Sequence, residues 1–321
     1  MNIVFLLNCS DKFGTGHLNR CARIANSLIK KNKIFFLIDK SNKNILNIIP
    51  KKSKIFLDKN FLKNKEKTKS IIENLKNPIL VIDSYLSNSS FEKYIKKFCK
   101  KLVIIDDLKK KHICDIYINQ NCLNFDFADK IKSKKKLMGL KYCILDKKIF
   151  KIKYEENKYK KNILIFTGTK DSKNITLKIY NTIKKYGFYN YQFTFIIGFY
   201  NKNKKFFSSQ KKIKNIKFKN FGNKFLEEIS KHDFFISAGG SSIWEALFLN
   251  KINIVFNHSS KQFENSKNLE KLGYIYQFKK KLFIHRIGRF LMDTLSSEST
   301  IIKHKKIIDG RGLSRIVKHI I

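Results

Sequence analysis

Three residue types are scarce in this 321-residue chain. Proline occurs twice, tryptophan once and arginine six times, at positions 20, 23, 286, 289, 311 and 315. The other 62 of the 68 basic residues are lysine, and only 25 residues are acidic, so the formal net charge is +43. Lys, Asn, Ile, Phe and Tyr all have codons made of A and T alone, whereas Pro, Arg, Gly and Ala need G or C. A mutational drift toward A/T therefore accounts for the charge without selection for a polyanion. A nucleic-acid-binding protein, which a basic balance can signal, is the weakest of three functions weighed below. The lysine runs at 109–111, 132–136 and 279–281 are expected in loops or at element ends. Long apolar runs are missing too. None approaches the roughly 18–20 residues that span a bilayer, so no stable membrane insertion is expected. Ile3–Leu7 lacks a basic leader and runs into a glycine loop, so it reads as a strand and not a signal peptide. The six cysteines form no CxxC pair, which suits reduced thiols in the cytoplasm and argues against a structural zinc site.

What is present is the material of a large core: 43% hydrophobic and 13% aromatic residues. Short apolar runs alternate with longer amphipathic stretches, the pattern of strand–helix–strand units. Expected strands are Ile3–Leu7, Ile34–Ile38, Ile79–Ile82, Leu102–Ile105 and Ile116–Ile118, with a strand and turn over Leu137–Leu145 after a Lys-rich stretch. Residues 150–161 are polar and unpatterned and mark a linker. A second alternation follows, with strands at Ile163–Phe166, Phe193–Ile197, Ile216–Phe218, Phe234–Ser237 and Ile252–Phe256. The fold class expected is α/β, with two Rossmann-like domains over 1–152 and 160–321, each a mostly parallel sheet facing a central cleft.

Two glycine loops carry the chemistry. In the first, Gly14-Thr15-Gly16-His17 leads from the first strand into a helix. The glycines permit a tight turn and close ligand approach. The helix N-terminus disfavours an imidazolium at His17, which suits a general base. Arg20, one turn on, could face an anion. A dinucleotide fingerprint would need a third glycine where Asn19 stands, although Asp39 lies near the ribose-binding spacing. In the second loop, Ala238-Gly239-Gly240-Ser241-Ser242 links a strand to a helix. Backbone N–H groups and two hydroxyls converge there as a phosphate cradle. No Gly-Lys-Ser/Thr occurs, which excludes a Walker loop. Glu245 follows Ser241 by one helical turn of about 5.4 Å, the step from a phosphate to a ribose.

The ordered set of motifs resembles a known family. Gly16-His17 with Arg20, Asp83-Ser84-Tyr85, Ile105-Asp106-Asp107, Cys114-Asp115 and Asn119-Gln120-Asn121 belong to it, as do Gly139-Leu140-Lys141-Tyr142 and Ser237–Ser242 with Glu245. Together they resemble the UDP-2,4-diacetamido-2,4,6-trideoxy-β-L-altropyranose hydrolases of pseudaminic acid biosynthesis, over about residues 1–275. The resemblance implies a GT-B-like fold and hydrolysis of a UDP-sugar to UDP and free sugar, with no metal or other cofactor. It implies His17 as the base on water, Tyr85 lining the sugar site, the cradle on the diphosphate and Glu245 on the ribose. It also places Gly168, Lys261 and Gln262 at the substrate. The family's Gly-Gly-Ser-Asp is Thr167-Gly168-Thr169-Lys170-Asp171 here, and its Asn-Gln is Lys261-Gln262. Asp106 and Asp107, with no histidine expected beside them, read as helix caps or loop anchors. The alternative is an inverting glycosyltransferase with a UDP-sugar donor. Whether the last ~40 residues cross back onto the first half is not given by the sequence; that crossing is usual for this fold by analogy only.

Overall fold

Strands form where short apolar runs rich in Ile, Val, Leu and Phe are buried on both faces, as in parallel sheets covered by helices. A computed structural model describes residues 1–9, 15–38, 46–58, 61–108, 110–121, 126–152, 161–210, 213–257, 260–296 and 307–321, without the side chains of 260–262. The chain divides into two compact units, one of Met1–Leu145 with Asp309–Ile321, the other of Asp146–Ile308. The division between 145 and 146 precedes the linker placed at 150–161, much of which (153–160) lies outside the described residues.

The first unit contains β1 (Asn2–Leu7), α1 (Gly16–Leu28), β2 (Lys33–Ile38), β3 (Lys54–Leu57), α2 (Lys65–Asn74) and β4 (Ile79–Asp83). It continues with α3 (Ser89–Ile95), β5 (Lys101–Ile105), β6 (His112–Asn119) and β7 (Ile131–Met138). All pairings are parallel, in the order β3-β2-β1-β4-β5-β6-β7. The order reverses direction between β1 and β4, whose last residues Leu7 and Asp83 are Cα partners. One sheet face carries Val4, Leu6, Leu80, Ile82, Leu102 and Ile104, packed on Phe91 and Ile95 of α3. By the two-residue alternation of strands, Asp83 follows Ile79 and Val81 onto the opposite face.

The second unit contains β8 (Asn162–Phe166), α4 (Ile175–Tyr186), β9 (Gln192–Ile197), α5 (Lys204–Ser208), β10 (Ile216–Asn220) and α6 (Phe225–Ser230). It continues with β11 (Phe234–Ser237), α7 (Ser242–Phe248), β12 (Ile252–Val255), α8 (Ser260–Lys271), β13 (Ile275–Gln277) and α9 (Ile284–Ser296). This sheet is also parallel, in the order β10-β9-β8-β11-β12-β13, and reverses between β8 and β11. Its core mixes isoleucines with aromatic rings, among them Tyr180, Phe193, Phe195 and Phe207, buried together.

The last helix, α10 (Gly312–Ile320), belongs to the first unit. Leu313, Ile316 and Ile320 are buried, and the Lys101 ammonium donates to the Ile320 carbonyl at 2.8 Å. A Cβ at residue 312 would lie 2.3 Å from the Cys143 carbonyl oxygen, so the close packing of the two backbones requires glycine there.

Three elements depart from the sequence expectation. Lys132–Lys136 lie inside β7 and not in a loop. β7 is an edge strand, so its lysines reach water, and charged side chains discourage a further strand from pairing there. β3, an edge strand exposed along its whole length, and the three-residue β13 were both missed because neither shows an apolar alternation.

Candidate functional site

Each glycine loop lies at the point where its sheet reverses direction. In open parallel sheets the crevice beyond the strand ends at that point is where ligands bind. The first loop precedes α1, whose start at Gly16 brings His17 and Arg20 to the end of β4. The second joins β11 to α7, and Gly168 follows β8 at the same reversal.

At the first reversal, helix α1 brings His17, Arg20 and Cys21 onto the end of β4. Asp83 is 0% exposed and is the hub. Its Oδ1 lies 2.5 Å from His17 Nδ1. Arg20 donates to both of its oxygens, from Nε at 2.8 Å and from the terminal NH2 at 2.7 Å. The other terminal nitrogen of Arg20 donates to both oxygens of Asp107, at 2.7 and 2.9 Å. Tyr85 sets its ring edge against His17, with centroids 4.5 Å apart, and its hydroxyl points at Asp107 from 3.5 Å.

The electrostatics follow from this geometry. Burial alone would raise the Asp83 carboxyl, but Arg20 and His17 outweigh it and hold Asp83 well below the usual carboxylate range. Burial opposes the Arg20 charge, and Asp107 and Asp83 overcome it. Burial and the neighbouring Asp107 push the Tyr85 hydroxyl far up, so it stays protonated. Burial, then Asp83, raises the Cys21 thiol, whose sulfur lies 3.7 Å from Asp83 Oδ2. With Asp83 ionised, His17 donates from Nδ1, which makes Nε2 the nitrogen that can accept a proton.

At the second reversal, Gly239 adopts φ +75°, and a Cβ there would lie 2.6 Å from Asn257 Oδ1. The left-handed φ favours glycine, and an added Cβ would displace the Asn257 side chain. Ser241 is exposed, Gly240 and Ser242 are half-buried, and Ser237 beneath them is buried, with its Oγ 3.3 Å from the Gly239 nitrogen. Glu245 is in the first turn of α7 and only 1% exposed. After β8, Gly168 has φ +98° and Lys170 is exposed. Asp171 turns inward and accepts from the backbone nitrogens of Ile175 and Thr176 at 2.8 and 2.9 Å, which caps α4.

These placements revise several sequence expectations. His17, Tyr85 and Arg20 come together, and the guanidinium of Arg20 is engaged by two carboxylates. It is 7% exposed and clamps Asp83 and Asp107. Buried guanidinium needs carboxylate partners, and two lay within reach. Asp106 does have a histidine beside it, because His112 Nε2 lies 3.0 Å away. A Cβ at Gly16 would meet nothing within 4 Å, so packing is not what calls for glycine there. Asn19 turns back to the Thr15 carbonyl at 3.0 Å. Gly14 and Asp39 lie outside the described residues, and the side chains of Lys261 and Gln262 are not described. Asp83 and Asp107 were missed as site residues. Their signal was present, since each ends an apolar strand run at the same sheet edge as the first glycine loop.

Residues 162–320 match the family model described as the glycosyltransferase family 28 C-terminal domain. The uncharacterized protein MJ1062 of Methanocaldococcus jannaschii is 29% identical over 273 residues, which is 78% of this chain and 54% of that protein. The chain thus spans about half the length of the curated relative it matches. Among solved structures, Acinetobacter baumannii MurG has a TM-score of 0.69 at 11% identity and covers 100% of this chain and 99% of its own. A UDP-GlcNAc 2-epimerase from Neisseria meningitidis bound to UDP-GlcNAc has a TM-score of 0.60 at 14% identity and covers 99% of each chain. The S. aureus MnaA-UDP co-structure has a TM-score of 0.63 at 13% identity, over 99% of this chain and 95% of that one. At these identities the likeness is one of fold: two parallel-sheet α/β domains of GT-B type. No helix among the described residues is long and apolar enough to cross a membrane.

Proposed function

We propose that this chain transfers the sugar of a UDP-sugar to a hydroxyl group, with His17 as the general base. The observation that carries this is the 2.5 Å bond between His17 Nδ1 and the ionised Asp83, which leaves Nε2 as the nitrogen to take a proton at the strand-order reversal. The hydroxyl oxygen bonds to the anomeric carbon as its proton passes to His17 Nε2. The bond from that carbon to the diphosphate oxygen breaks, UDP leaves with the electron pair, and the configuration inverts. Asp83 stabilises the imidazolium that forms, the part an orienting aspartate takes beside a histidine base. The Gly239–Ser242 loop supplies N–H groups and hydroxyls for the charge gathering on the diphosphate. Glu245 and Gly168 belong to the same nucleotide subsite, and Tyr85 flanks the sugar. Support for a nucleotide-sugar donor comes from the family match over residues 162–320 and from fold neighbours whose structures hold UDP or UDP-GlcNAc.

Water is the second nucleophile to consider. The ordered motif set from Gly16-His17 to Glu245 favours it, and with it hydrolysis of a UDP-linked 2,4-diacetamido-2,4,6-trideoxy hexose in pseudaminic acid synthesis. One experiment separates the two. The full chain is incubated with UDP-GlcNAc or the UDP-diacetamido sugar, with and without hydroxyl acceptors, and UDP and sugar products are measured. UDP release without an acceptor indicates hydrolysis, and release tied to a new glycoside indicates transfer. Either way His17→Asn lowers the rate by about 10²–10⁴-fold, the usual contribution of a general base. Undiminished UDP release by a folded His17→Asn protein sinks the mechanism.

A further inference from the structure

A second buried ionic cluster stands on the other face of the first sheet, one residue away from the His17 network. His112, the first residue of β6, is 1% exposed. Its Nδ1 lies 2.8 Å from Glu92 Oε1 on α3, and its Nε2 lies 3.0 Å from Asp106 Oδ2. Glu92 also accepts from Ser87 Oγ and from the Ile113 nitrogen, each at 2.9 Å. A ring with a carboxylate at each nitrogen donates at both only as imidazolium. Burial opposes that charge, but Asp106 and Glu92 outweigh it and raise His112 to about 9.

Stability does not explain such a cluster, because well-packed apolar residues commonly serve as well or better than a buried ionic group. Its place in the chain offers an explanation. Asp106 and Asp107 are consecutive and follow β5, and their side chains join different clusters. Asp106 meets His112, and Asp107 grips Arg20, which in turn holds Asp83 against His17. His112 thereby closes the connection between β5 and β6 onto itself, reaching back six residues. Asp106 Oδ1 is buried without a hydrogen-bond partner among the described residues, so His112 carries that carboxylate's side-chain bonding. Removing His112 leaves a buried carboxylate that must move or take up a proton. Any movement passes through one peptide unit to Asp107.

We infer that His112 is a positioning residue for His17, acting through Asp106, Asp107 and Arg20. This rests on the base role assigned to His17 above. The test uses the full chain with His112→Gln and, separately, Asp106→Asn, which keeps the size of the side chain. Three quantities are read: the ¹⁵N signals of His17, kcat and KM for UDP release, and Tm. The result expected for the unaltered protein is a single Nδ1–H tautomer of His17. In both variants that signal becomes a mixture of tautomers, and kcat falls by up to about a hundredfold, the cost of misplacing a catalytic group by about 1 Å, while the affinity for UDP is unchanged. If His17's spectrum and kcat keep their original values, His112 serves the fold alone and the inference is overturned, even if Tm drops. Should His112→Gln fail to fold, Asp106→Asn makes the same comparison. The spectrum needs no substrate. If the unaltered protein releases no UDP from any UDP-sugar, the proposed function fails while the spectrum still decides the positioning role.

Discussion

The two reversal loops solve opposite problems. The loop before α1 is backed by side-chain charge: His17, Arg20, Asp83 and Asp107 lie within hydrogen-bond distance of one another in series. The loop before α7 is built from backbone, with glycine at φ +75° and serine hydroxyls around it. Under the proposed function the contrast matches what each kind of chemistry demands. A base must hold one tautomer and one direction, and a buried ionised partner does this at close range. A diphosphate spreads its charge over several oxygens, and converging N–H groups meet it without any single essential side chain.

The largest effect that breaks this contrast is Asp83→Asn. It removes the ionised partner of His17 and leaves Arg20 without half of its clamp. Activity should fall by up to about 10⁴-fold, the scale on which an orienting aspartate matters beside a histidine base. Stability should fall by about 3–5 kcal/mol, the cost of stripping one partner from a buried ion pair. Urea unfolding and UDP release measure the two losses. The same carboxylate sets a pH dependence. Its folded-state pKa is depressed, so its stabilisation is fully present above the unfolded carboxyl value of about 3.9 and is lost as pH falls below it. Asp83→Asn should make that acid limb shallower by the share of this one carboxylate, since Asp115 and Asp309 are also held low. An acid limb as steep in the variant as in the unaltered protein would contradict the role of Asp83.

A middle-sized effect is expected at the other loop. Gly239→Ala forces a side chain into a left-handed backbone and toward Asn257. The strain should cost about 1–3 kcal/mol. UDP binding, followed by calorimetry, should weaken while the His17 tautomer stays fixed. An unchanged Kd for UDP would remove the cradle from the nucleotide site. The smallest effect is expected far from both loops. Lys135 is exposed on the β7 edge. Lys135→Ser should change stability by no more than about 0.5 kcal/mol, as read from the urea midpoint, and leave UDP release intact.

Much of the scaffold was legible in advance, and the reasons are local. β1, β2, β4, β5, β8, β9, β11 and β12 are short apolar runs that stand out by themselves. The edge strands β3 and β7 did not, because an edge strand is half solvated and here is written in lysine and exposed apolar residues. His17 was legible because it follows a glycine turn at a helix start. The role of Arg20 was not, because it depends on Asp83 and Asp107, which lie 63 and 87 residues away. Nor was the histidine beside Asp106, since six residues of connecting chain could have placed His112 anywhere near the strand end.

By itself, the sequence determined two alternating α/β halves, two glycine turns at strand ends, and a surface charge spread through lysines with no motif of their own. Tertiary structure alone decided which charges meet. It placed α1 over the end of β4, gave the neighbours Asp106 and Asp107 different partners, and returned residues 309–321 to the first unit. The physical reason is range. Helix and strand periodicities relate residues a few positions apart. A buried charge takes its partner from whatever segment the sheet order brings within about 3 Å, and sheet order is a property of the whole chain.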